Sequence, residues 1–185
     1  MTFRNGGIEE TGLGAGVQSI LVSIVESGAQ AKDLVAAVTY PPRGVRGVGS
    51  ALARASEFSA IPDYLTTADE QICLLVQVEN RAGMAALDDI LATDVDGVFF
   101  GPSDLAADMG HIGQAGHPEV KAAVLDAIKR IVAVGKAAGI LTLDQETQRA
   151  CLDLGATFVA TDIDVTLFAR NMRAAAKQAK AVRDE

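Results

Sequence analysis

Short apolar runs recur along this chain, each followed by a stretch whose apolar residues fall every three or four positions. A bounded apolar run reads as a buried strand, and the three-to-four spacing as the inward face of a helix. Gln18 to Val25 (QSILVSIV) is the first such strand. Ser27 to Val38 is its helix, with Ala31, Leu34, Val35 and Val38 on the apolar face, and Tyr40-Pro41-Pro42 stops it. A loop over residues 43–56 and a short helix-like piece, Ile61 to Glu70, come next. The strand Cys73 to Val78 leads to a helix over Arg81 to Ala92, and the strand Asp96 to Phe100 follows. His117-Pro118-Glu119 opens a long helix through Val134, with proline in its first turn. Gly139 to Leu143 is another strand, Gln145 to Leu154 its helix, and Thr157 to Ile163 the last strand. An amphipathic helix rich in Ala and Lys, Val165 to Arg183, closes the chain. Five strand–helix units in succession predict an α/β fold built on a parallel sheet.

The stretch from Leu74 to Asp104 carries the candidate chemistry. One apolar run ends at Glu79 and the next at Asp104, with a helical pattern between them. Two parallel strands joined by a helix bring their carboxyl ends side by side, so the two acidic residues face each other at one sheet edge. Two oxygen donors there suit a hard divalent cation such as Mg2+ or Mn2+. An acidic residue just past a strand also serves as a helix N-cap, and Asp104 before Leu-Ala-Ala fits that role as well. Gln77 precedes Glu79 by two and shares its strand face. Gly101-Pro102-Ser103 forms a tight turn that exposes backbone amides beside Asp104.

Composition narrows the classes. The 185 residues suffice for one core and one domain over 1–185, with residues 1–15 irregular and Gly-rich. A net charge of -8 argues against nucleic acid as a main partner, and the absence of Trp argues against a base-stacking platform. Cys73 and Cys151 have no metal-type spacing and read as small core residues of a reduced, cytoplasmic protein. No run resembles a signal peptide or reaches the length of a membrane span.

Three further features carry competing readings. Gly12 to Gly16 (GLGAG) resembles a dinucleotide loop but precedes a strand, so the mechanism of such loops is missing. Arg43, Arg46 and Arg54 lie in the loop of residues 43–56, which either holds an anion or covers the site as a structural loop. His117 sits at a helix start and reads as a cap or surface residue, while His111 lies in a Gly-flanked loop with no evident partner.

YPPRGVRGVGSALARAS, LLVQVENRAGM, VDGVFFGPSDLAADMG and GHPEV resemble the HpcH/HpaI family of class II pyruvate-dependent aldolases, of the 4-hydroxy-2-oxo-heptane-1,7-dioate aldolase type. The resemblance implies a (β/α)8 TIM barrel, here incomplete, with about five βα units and a C-terminal helix. It implies a divalent metal (Mg2+, Mn2+ or Co2+) bound by Glu79 and Asp104, which chelates pyruvate or a related small 2-oxo acid. Gln77 then contacts substrate, and the amides of Ser103 and Asp104 receive its carboxylate. The implied reaction is retro-aldol cleavage of 4-hydroxy-2-oxo acids, and the implied assembly a homo-oligomer.

By the same resemblance the chain starts at the family's fourth strand, without the earlier general-base His and the Arg that steadies the enolate. Gly14 stands where the family has an Asp, and Arg4 lies a little upstream of the missing Arg's place. An impaired metal- and keto-acid-binding chain, or one that completes another chain's barrel, is therefore the alternative to an active lyase. Five strands do not close an eight-strand barrel, so Gln18–Val25 and Thr157–Ile163 are expected to be apolar edges open to pairing.

Overall fold

Strands β1 (Ser19–Val22), β2 (Cys73–Val78), β3 (Gly97–Phe100), β4 (Ala137–Leu141) and β5 (Phe158–Ala160) pair in parallel, in their order along the chain. The computed structural model describes residues 12–184; Arg4 and most of the Gly-rich start lie outside them. Parallel neighbours need a crossover, and right-handed crossovers that always step the same way lay the intervening helices on one face. The result is a curled half-barrel, helices outside and a concave face within, as the succession of five units leads one to expect.

Register explains which residues face which side. Ile20 pairs with Leu74, Val22 with Val76, Val76 with Val98, Val98 with Ala138, and Val78 with Phe100 beside Ile140. This row packs under the helices and is almost completely buried. Fully burying a side chain of this size contributes roughly 1.5–3 kcal/mol, which makes this row the main source of stability. The alternate row, Gln77, Phe99, Gly139 and Phe158, lines the concave face. A Cβ at Gly139 would lie 2.6 Å from Phe99 Cδ2, so the glycine makes room for that ring. Phe99 in turn meets Phe158 at a centroid distance of 5.1 Å.

The helices are α1 (Gly28–Val38), α2 (Arg81–Ala85), α3 (Leu87–Leu91), α4 (Pro102–Asp108), α5 (Pro118–Ala133), α6 (Gln145–Asp153) and α7 (Asp164–Asp184). A short helix, Tyr64–Thr67, lies between α1 and β2. The expected helix over Arg81–Ala92 is two, broken at Ala86 (ψ 6°). Apolar residues continue on both sides of the break, so periodicity does not register it.

Strand ends also move. β4 begins at Ala137 and ends at Leu141, because the small residues before Gly139 join the ladder without forming an apolar run. β5 stops at Ala160, and Asp162 then accepts from the Ile163 N–H and the Thr166 hydroxyl at the start of α7. Among the described residues β1 and β5 each pair on one side only. No described helix is long and apolar enough to cross a membrane.

Candidate active site

Glu79 stands one residue past β2, and Asp104 lies in the first turn of α4, four residues past the end of the adjoining β3. Val78 and Phe100 are paired neighbours, so the two acidic residues leave the sheet at the same edge. Gln77, Glu79 and Asp104 line one cavity of about 550 Å3 together with Ser23, Ile24, Glu26, Asn80 and Asp108. Ser103 lines a neighbouring cavity of about 400 Å3, which Gln77 and Asp104 share and which Lys121, Thr142 and Asp144 also border.

Glu79 is buried at 7% exposure, and both of its oxygens are held. Oε1 accepts the Ile24 backbone N–H at 3.0 Å, and Oε2 accepts the Gln77 Nε2 amide at 2.6 Å. The first bond depends on an unusual turn. β1 stops at Val22, earlier than its apolar run, and Ile24 adopts a left-handed φ of 56°. The second depends on Gly101, where a Cβ would fall 2.6 Å from Glu79 Oε2 and 2.7 Å from Gln77 Nε2. Only a residue without a side chain leaves that pair intact.

Burial pushes the Glu79 carboxyl above the ordinary carboxylate range. The nearby charge of Asp104 adds to the rise, the Ile24 N–H opposes it, and a hydrogen bond with Asp104 raises it further. Among the described residues neither carboxylate has an ion pair with Lys, Arg or His. Two mutually repelling, oxygen-only donors without a basic partner are what a hard divalent cation relieves, so the donor set fits such an ion.

The competing readings separate. Gly101, not Asp104, occupies the N-cap position of α4, and Asp104 makes no cap hydrogen bond. Arg43 is held by Asp69 at 2.9 Å, Arg46 is buried against the rings of Tyr40 and Tyr64, and Arg54 is exposed. None of the three lines the cavities beside Glu79, so the loop of residues 43–56 is structural there. His117 caps α5, its Nδ1 accepting the Glu119 N–H at 3.3 Å. His111, without a partner by sequence, has one: its Nε2 lies 3.0 Å from Glu119 Oε2.

Sequence reasoning missed Ser23, Ile24, Glu26, Asn80 and Asp108. Only Asn80 had a legible signal, as a side-chain cap before a helix; it accepts the Gly83 N–H at 2.8 Å and donates to Glu26 at 2.6 Å.

A family model described as HpcH/HpaI aldolase/citrate lyase matches residues 5–171. A protein of Roseovarius nubinhibens named hydroxypyruvate/pyruvate aldolase is 58% identical over 87% of this chain and 63% of its own length. One of Salmonella arizonae named 4-hydroxy-2-oxo-heptane-1,7-dioate aldolase is 52% identical over 89% of this chain and 63% of its own. The chain thus spans less than two thirds of the length of these curated relatives. Among solved structures, an HpcH/HpaI aldolase/citrate lyase family protein from Burkholderia cenocepacia J2315 superposes with a TM-score of 0.88 at 31% identity. That match covers 95% of this chain and 70% of the other.

Proposed function

Since the chain belongs to the HpcH/HpaI aldolase/citrate lyase family, we propose that it carries the metal- and 2-oxo-acid-binding part of a carbon–carbon lyase site. The observation that carries this reading is the pair Glu79 and Asp104, converging at neighbouring strand ends without a basic partner. A divalent cation held by these two residues (Mg2+, Mn2+ or Co2+) supplies Lewis acidity toward a carbonyl oxygen.

The chain's own groups orient the carboxylates and the bound oxo acid. Ile24 N–H and Gln77 Nε2 fix the Glu79 carboxylate, so it does not rotate away from its partner. First-turn amides of a helix lack an intrahelical acceptor, and those of Ser103 and Asp104 receive the carboxylate of pyruvate or hydroxypyruvate. In the cleavage of a 4-hydroxy-2-oxo acid, the C3–C4 bond breaks, its electron pair stays with C3, and a base removes the 4-hydroxyl proton. The aldehyde leaves toward the adjoining cavity bordered by Lys121 and Thr142.

A second reading has its own support. The described residues lining both cavities include no histidine or arginine. A general base commonly contributes about 10²–10⁴-fold, so metal and oxo-acid binding with slow turnover fits that inventory. Assembly into homo-oligomers and a cytoplasmic setting, with both thiols free, complete the proposal.

Purified chain with Mn2+ and oxaloacetate or a 4-hydroxy-2-oxo acid tests both readings. Pyruvate release above that of Mn2+ alone, reduced roughly 10²-fold or more by Glu79→Gln or Asp104→Asn, is the expected result. Saturable pyruvate binding without turnover favours the second reading. Neither binding nor turnover sinks both.

A further inference from the structure

We propose a second cation site, separate from the carboxylate pair, formed by His111, His117 and Glu119. His111 comes from the loop between α4 and α5, His117 caps α5, and Glu119 lies in its first turn. One ligand atom from each residue lies within 4.8 Å of the other two. The imidazoles stack with centroids 3.5 Å apart and planes 14° from parallel, so one ring has to turn out of the stack for both in-plane lone pairs to meet at one ion. His111 Nε2 already lies 3.0 Å from Glu119 Oε2.

The donor chemistry selects the ion. Bonds of about 2.1 Å in a tetrahedron hold ligands about 3.4 Å apart, so the trio must close by at most about 1.4 Å. Glycines at 110, 113 and 116 and the exposed Glu119 side chain permit that adjustment. Two imidazoles and one carboxylate, with a fourth position open to water, suit Zn2+, Co2+ or Ni2+ rather than Mg2+. The site therefore differs in kind from the all-oxygen pair at Glu79 and Asp104.

Binding has a local signature. His117 Nδ1 now accepts the Glu119 N–H. A metal on Nδ1 takes that lone pair directly, and a metal on Nε2 requires the proton to move to Nδ1. Either way the cap bond is released. Ala115 and Gly116, just before His117, line the cavity that Asp104 shares, so an ion here pins one wall of that cavity.

The test titrates the whole chain with Zn2+ by calorimetry in excess Mg2+, and with Co2+ by visible absorption. One Zn2+ per chain is expected, undisplaced by Mg2+, with the strong visible bands of tetrahedral Co2+. His111→Ala and His117→Ala should each weaken Zn2+ roughly tenfold or more, while Glu79→Gln leaves it unchanged. Zn2+ should also move the Glu119 amide resonance as the cap opens. Because His117→Ala also removes a helix cap, His111→Asn serves as the second variant, with circular dichroism confirming its fold. Equal Zn2+ affinity in native and His111 variants, or no Zn2+ uptake by the native chain, would overturn the site.

Discussion

At Glu79 a single carboxylate is held by two donors and repelled by its neighbour. Its folded-state value is raised, first by burial and then by Asp104. For a carboxyl, a raised value means that stability is full below the ordinary value of 4.5 and is lost as pH rises through the folded value. Without a divalent cation, the native chain should therefore lose urea resistance toward neutral pH relative to Glu79→Gln. Adding Mn2+ should close the gap. Parallel urea midpoints for the two proteins across that range would contradict the assignment. The acidic pair was legible because each member ends an apolar run, and Gln77 because strands alternate sides every residue. The Ile24 contact was not, because a β-branched residue with positive φ is an outlier that no propensity foretells. Such a conformation costs about 1–3 kcal/mol and persists only when its surroundings hold it.

What holds it belongs to an element. Gln30, in the first turn of α1, donates to the Ile24 carbonyl at 3.1 Å and accepts the Glu26 N–H at 2.9 Å. Ser27 caps the same helix by accepting the Gln30 N–H at 3.1 Å. The start of α1 is thus a brace for the turn that positions Glu79. Gln30→Ala should cost about 1 kcal/mol in stability from two lost hydrogen bonds. It should also weaken Mn2+ binding roughly tenfold, although Gln30 touches neither carboxylate. Unchanged Mn2+ affinity in a folded Gln30→Ala protein would dissolve the link. Strand and helix order could be read from hydrophobic spacing alone. Element ends could not, because Ala137, Ala86 and Asp162 act through backbone geometry and local hydrogen bonds rather than through hydrophobicity.

Across the molecule, apolar surface remains uncovered in two places. The concave face carries Phe158 (47% exposed) beside half-buried Leu75, and α7 is exposed along most of its length. On that helix Val165, Phe168 (70% exposed) and Met172 (54% exposed) recur at three- and four-residue spacing, which places them on one side. Exposed stripes of this sort mark association surfaces. Sedimentation at micromolar concentration should show species larger than one chain, and Phe168→Glu with Met172→Glu should shift them toward the single chain. An identical mass distribution for both proteins would refute the role of α7.

The order of the sheet has a temporal meaning too. Among the described strands, each from β2 onward pairs with the one that left the ribosome just before it. From β2 to β5 each described strand finds its partner already made, so this part of the nascent polypeptide can zip up one unit at a time, in the direction of its own synthesis.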